Sequence, residues 1–254
     1  MKYTTHQEFY KLVHRKITWI MPIFLLIIMI IASVTFGSDG KFLFVSTYAS
    51  GQFIPLVLVM VGSTFFSMEF QNNTILTLIY KSSNKIHVYL SKLLVLFTYN
   101  IAIHLFAVFI SMIFGLSSLN GHIHLMAIYM YHQNLLVNMA IATLLDIFMS
   151  TLVISFVFLI SCIINSNSIV TLLGISLVIF GSLFSNILLN KNINITKFIK
   201  WNPFNTLNLT PQYYNYTIYH DISHLSNFQI TISTLLYTFI FIIIGYLIFR
   251  KKRF

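Results

Sequence analysis

Six long apolar runs, 19–36, 51–68, 93–116, 135–164, 169–189 and 230–249, leave this chain few ways to fold. A helix crosses the hydrocarbon core of a bilayer in about 20 residues. Inside hydrocarbon, every backbone N–H and C=O has to be paired by the protein itself, which admits only helices and closed barrels. Barrel strands show short segments of alternating hydropathy. Here the apolar character is continuous, so the expectation is an all-α polytopic membrane protein with six transmembrane helices. A soluble fold would lack polar surface: 57% of the 254 residues are hydrophobic and 8% are charged, against about 25% charged in soluble domains. Only 4 prolines and 9 glycines punctuate the chain, so little interrupts helix formation.

The run 135–164 is the longest, and it either tilts strongly or begins as an interfacial helix. Only Asn165-Ser166-Asn167-Ser168 separates it from the next run, which predicts an antiparallel helical hairpin. The first run follows a charged segment, as a signal anchor does. No small-residue cleavage site clearly follows it, so it is expected to stay as a helix. The single cysteine, Cys162, lies in an apolar run. It is expected to be a small buried hydrophobe, not half of an intrachain disulfide.

The basic residues give an orientation. With the N-terminus inside, 11 of the 15 Lys and Arg lie on the cytoplasmic side, and Lys41, Lys191, Lys197 and Lys200 lie outside. Basic residues collect on the cytoplasmic side of membrane proteins, so both termini are expected inside. The net charge of +10 is then a topology signal and an attraction to anionic lipid; it does not require nucleic acid as a partner.

Ahead of the first span, Thr5-His6-Gln7-Glu8 fits a capping box. Phe9, Leu12, Val13 and Ile17 follow at helical spacing beside Lys11, Arg15 and Lys16. That pattern predicts an N-terminal amphipathic helix over 1–18 on the inner membrane surface, or else a cytoplasmic extension of the first span. Residues 69–92 form a cytoplasmic loop. Residues 190–229 form an outer loop in which Trp201, Phe204, Tyr213, Tyr214, Tyr216 and Tyr219 suit the membrane–water interface.

Catalytic signatures are missing. No G-x-x-x-x-G-K-[ST] loop occurs, so the chain carries no P-loop ATPase of its own, and no G-x-S-x-G elbow occurs. Of five acids, Glu8 and Glu69 are expected inside and Asp39 and Asp221 outside, with none paired by proximity for acid–base work. Asp146 is the one acid within a span. It could bind a cation, relay a proton or pair with a basic substrate, or it could be a hydrogen-bonded carboxyl packed between helices. Asn100 and His104, one turn apart, are its expected partners. His220 and His224, beside Asp221, could form a weak metal site but are better read as solvated or interfacial, because no cysteine or flanking motif supports metal. No metal site is expected. The four N-x-[ST] matches, at Asn72, Asn194, Asn208 and Asn215, are expected by chance in so Asn-rich a chain.

The cytoplasmic loop is the most informative segment. In Glu69-Phe70-Gln71-Asn72-Asn73-Thr74-Ile75-Leu76-Thr77-Leu78-Ile79-Tyr80, Asn73-Thr74 can cap a short helix, and Ile75, Leu78 and Ile79 give it an apolar face. After Ser82-Ser83-Asn84 a new helix is expected to run through Lys92 into the third span. A short helix presenting an apolar patch to the cytoplasm is a docking element, or else an ordinary connector.

On Glu69, Asn73-Thr74, Lys85 and Lys92, together with the amphipathic N-terminal helix, six spans, short fourth-to-fifth turn and long last outer loop, the chain resembles the ABC-2 type permease subunits of ABC transporters. Asn73 stands where the family commonly has Gly, and Ser82-Ser83-Asn84 lacks the family's frequent Pro. The resemblance implies a second permease copy, identical or related, and separate ABC ATPase subunits that bind ATP and Mg, with no cofactor in this chain. It makes Glu69–Tyr80 the coupling helix in a groove of the ATPase, and it lines the translocation path with the first, second and fifth helices. Those helices are rich in Phe, Ile and Leu here, which suits an amphipathic peptide or lipid-like substrate better than a sugar. The chain looks similar to bacterial cell-membrane exporters of amphipathic peptides, of the phenol-soluble-modulin exporter and lantibiotic-immunity kinds. Two other readings stay open: an ion-coupled secondary carrier using Asp146, Asn100 and His104, and a membrane-bound enzyme or sensor with its site in the outer loop.

Overall fold

Helix starts coincide with side chains that can accept the first unpaired backbone N–H groups. Asn84 accepts from the N–H of Ile86 at 3.2 Å, Asn134 from Val137 at 3.0 Å and Asn215 from Ile218 at 3.3 Å. Ser226 and Gln229 form a complete capping box. The computed structural model describes residues 2–36, 40–72, 84–117, 123–191 and 196–252. Its helices are α1 (Lys2–Val13), α2 (Lys16–Thr35), α3 (Gly40–Val45), α4 (Ser50–Gln71), α5 (Lys85–Leu116), α6 (Leu135–Ile163), α7 (Asn167–Lys191), α8 (Thr196–Ile199), α9 (Leu209–Tyr214), α10 (Tyr216–Ser223) and α11 (Asn227–Lys251). No strand occurs among the described residues.

Six helical segments are long and apolar enough to cross a membrane: Lys16–Thr35, Gly40–Gln71 (α3 with α4), Lys85–Leu116, Leu135–Ile163, Asn167–Asn190 and Asn227–Lys251. They divide by burial. The most apolar windows of α3–α4 and α6 are 72% and 61% buried, while those of α2, α7 and α11 are each 28% buried. The core therefore lies between α4 and α6, and the other spans surround it. Small residues allow the close approach. A Cβ on Gly174 of α7 would sit 2.6 Å from Val59 Cγ1 of α4, and one on Gly245 of α11 would sit 2.6 Å from the Tyr89 hydroxyl of α5. Ser63 and Thr171 pair their hydroxyls across α4 and α7 at 2.7 Å.

Three expectations change. Thr5 does not cap α1, because the helix already runs from Lys2; its hydroxyl pairs with that of Ser91 at 3.1 Å, and Glu8 turns inward. The stripe Phe9, Leu12, Val13, Ile17 is also divided. Phe9 and Val13 are exposed, Leu12 is buried, and Ile17 belongs to α2. The outer segment is not a plain interfacial loop. It folds into α8, a 3-10 turn over Asn205–Asn208, α9 and α10, and Tyr213 is buried there with its hydroxyl donating to Asn138 Oδ1 at 2.8 Å.

Candidate functional site

The expected coupling segment begins inside α4, not after it. Glu69, Phe70 and Gln71 complete the last turn of that helix. Glu69 and Phe70 are each 5% exposed, while Gln71 and Asn72 are exposed. Asn73, Thr74, Ile75, Leu78 and Ile79 lie outside the described residues.

Glu69 is one member of a ring of alternating charge. Lys92 Nζ of α5 lies 2.6 Å from Glu8 Oε2 of α1 and 2.7 Å from Glu69 Oε2. Lys11 Nζ closes the other side, 2.8 Å from Glu8 Oε1 and 3.1 Å from Glu69 Oε1. Lys92 is 0% exposed and Glu8 3%. A buried charge is tolerated when opposite charges and hydrogen bonds replace its water, and two carboxylates facing two ammonium groups meet that condition. The Lys92 ammonium also lies over the Phe65 ring, 4.6 Å from its centroid. Burial alone would raise the Glu8 pKa, but the attraction of Lys92 and then Lys11 outweighs it and holds this carboxyl below its ordinary value. Burial alone would lower Lys11, but Glu69 and Glu8 hold it above the ordinary lysine value.

Phe70 points to the other side of the same turn. Its ring packs on Phe66 and Phe249, with centroids 5.0 and 6.0 Å away, and Phe66 stacks on Phe158 at 4.5 Å. Lys252, just past α11, lies 4.3 Å over the Phe70 ring and donates to the Cys162 carbonyl at 3.1 Å and to Asn165 Oδ1 at 2.5 Å. Gln71 Oε1 accepts from the Asn167 N–H at 3.2 Å, and Ser67 donates to Asn167 Oδ1 at 2.8 Å. The C-terminal end of α4 is thus tied to α1, α5, α11 and the α6–α7 turn.

The path candidates form no single cluster. Asn100 donates from Nδ2 to the Ile147 carbonyl at 3.3 Å and to Thr151 Oγ1 at 3.2 Å, fastening α5 to α6. His104 Nδ1 lies 2.9 Å from the Asn100 carbonyl. Asp146 is 3% exposed, but its carboxylate lies over the first turn of α4, so close that a Cβ on Gly51 would sit 2.2 Å from Oδ2. Asn100 and His104 direct their bonds elsewhere. His220 Nδ1 is 3.9 Å from Asp221 Oδ1, and among the described residues no group of three or more His, Cys, Asp or Glu is placed to hold a metal.

Sequence reasoning placed Glu8, Glu69 and Lys92 on one side of the membrane but did not join them, and it gave Lys11 to a surface face. The available signal was that the two acids expected inside sit among 11 bases expected inside, and that Glu69 ends an apolar run, where an acid needs a partner. A family model described as an ABC-2 family transporter protein matches residues 5–185, which include all four ring residues together with Asn100, His104 and Asp146. No curated protein matches the chain.

Proposed function

The chain belongs to the ABC-2 transporter family, whose members are membrane permeases working with an ABC ATPase, and from that premise we propose that it is the permease subunit of an ATP-driven exporter of amphipathic peptides in a bacterial cell membrane. Both termini face the cytoplasm, α1 lies along the inner surface with Phe9 and Val13 toward lipid, and the coupling segment Glu69–Tyr80 receives the ATPase beyond the buried Glu69 and Phe70. Two permease subunits, identical or related, form the path.

The observation that carries this reading is the charge ring. A segment that receives a push transmits it only if both of its ends are held. Residues 73–83 join α4 to α5, and Lys92 with Glu69 binds those two helices together while Glu8 and Lys11 add α1. A displacement of the coupling segment would then move three elements as one body, the kind of rigid shift that packed helices support. The exposed face of α7, which includes Phe180 and Leu183, offers contact to an apolar substrate.

The test is purification in mild detergent with a candidate ABC ATPase, followed by ATPase measurement with added amphipathic peptides. Co-purification and stimulation are expected, and Ile75→Asp should abolish both. A chain that binds no ATPase, or whose transport stops when the proton gradient is collapsed at high ATP, would overturn the reading.

A further inference from the structure

A cleft of about 540 Å³ opens where the α1–α2 junction meets the inner half of α4. Lys11, Arg15 and Lys16 line it, with Glu69 as its acid and with Ile17 and Met68 as apolar wall. Its charge is not balanced. Lys11 and Lys92 compensate Glu8 and Glu69 in the ring, which leaves Arg15 and Lys16 over. Arg15 spends one N–H on the Thr64 carbonyl at 2.5 Å and lies over Phe65, 5.4 Å from its centroid. Its guanidinium has five N–H donors in all. Lys16 is exposed and has no ion-pair partner among the described residues. The α2 helix starts beside them with no side-chain cap, so its dipole adds to the same field.

We propose that this cleft binds the phosphate-bearing headgroup of an anionic phospholipid from the inner leaflet. The charge surplus selects an anion, and the apolar wall selects one that carries acyl chains. About one turn along α2 from Lys16, Trp19 is 62% exposed and donates from Nε1 to the Val13 carbonyl at 2.8 Å, as suits a tryptophan at a membrane interface. Beyond it, Ile20, Ile23 and Phe24 are exposed along α2 and offer a track for the chains. A bound headgroup would bridge the α1–α2 junction to α4, beside the charge ring. The leaflet assignment rests on the orientation proposed above.

Native mass spectrometry of the full chain in detergent, titrated with phosphatidylglycerol or phosphatidylcholine, tests it. Phosphatidylglycerol should be retained in preference, and Lys16→Gln should weaken its retention about fivefold, the usual effect of one basic residue near an anionic surface. Lys41→Gln, on the exposed surface of α3, should change nothing. Equal retention of the two lipids, or a Lys16→Gln variant that holds phosphatidylglycerol as well as the parent, overturns the site. Displacement of the lipid by equimolar inorganic phosphate assigns the cleft to a free anion and overturns the lipid. Unchanged lipid retention with lost ATPase co-purification in Lys16→Gln assigns it to an acidic protein surface, with the same consequence. Orientation is read separately: labelling of His14→Cys by an impermeant maleimide added outside intact cells would overturn the inner-leaflet assignment without touching the retention data.

Discussion

The two ends of this bundle, inner and outer in the proposed orientation, solve the same problem with different chemistry. At the inner end four full charges converge from α1, α4 and α5. At the outer end a network of amides and hydroxyls does the joining. Asn205 donates to the carbonyls of Lys200 at 2.7 Å and Ser223 at 2.8 Å. Gln212 donates to the Leu225 carbonyl and to Asn227 Oδ1, both at 2.9 Å, and accepts from Ser223 at 2.6 Å. Amide bonds to backbone are directional and hold one geometry. Ion pairs fall off slowly with distance and tolerate small shifts. Under the proposed coupling role, the outer end keeps a fold and the inner end holds elements together while they move.

The largest effect should come from breaking the ring at its most buried member. Lys92→Met leaves Glu8 and Glu69 facing each other with only half-exposed Lys11 between them, and removing one partner from a buried ion pair costs about 3–5 kcal/mol. A melting curve in detergent should show the variant severely destabilised. The outer counterpart is Gln212→Ala, which removes the acceptor of the 2.6 Å Ser223 bond and the donor to the Leu225 carbonyl and Asn227 Oδ1. Leaving buried polar groups unpaired costs about 1–3 kcal/mol, so this variant should melt between the parent and Lys92→Met. If the order reverses, the outer network carries more of the stability than the ring.

pH separates the two ends more finely. The Glu8 carboxyl is held below its ordinary value of 4.5, so its stabilisation is present above that pH and is lost as pH falls through the lowered value. Lys11 is held above 10.5, so its contribution is present below that pH and is lost as pH rises through the raised value. The amide network has no titrating group. Melting temperatures of the parent should therefore fall at both extremes, and Glu8→Gln should flatten the acid limb. An acid limb as steep in Glu8→Gln as in the parent would separate Glu8 from the acid response.

These two ends were unequally legible. The spans could be read because a crossing helix writes its length into a run of neighbours, and Asn84 marks the start of α5 by a contact only two residues away. The ring could not be read because its contacts join positions 84 and 58 residues apart, while helical periodicity reaches only about four residues. Local pattern even competed with it, since Thr5 and Glu8 match a capping box that the earlier start of α1 leaves unused. The outer segment misled for another reason. Asn205, Asn208 and Gln212 look like solvent-facing loop residues one at a time, and only bonds to partners such as the Ser223 and Leu225 carbonyls allow them to be buried.

Asp146 provides the smallest expected effect and the sharpest discrimination. It is buried like the ring acids, yet no salt bridge of Asp146 occurs among the described residues; its carboxylate lies on the α4 backbone at Gly51. A buried charge with no ionic partner is costly, and Asn has the same shape without the charge. Asp146→Asn should thus leave the melting temperature unchanged or slightly raised, where Lys92→Met lowers it severely. Under the ATP-driven reading, peptide export by this variant should stay within about twofold of the parent, because a packing carboxyl replaced by its isostere changes no step that the ATPase drives. An ion-coupled carrier would behave differently, since removing the acid buried within α6 would remove the coupling site itself. Transport by Asp146→Asn in vesicles supplied with ATP, with and without a proton gradient, decides between them: retained export assigns the acid to packing, and lost export at full ATPase activity moves the work of transport to the core between α4 and α6.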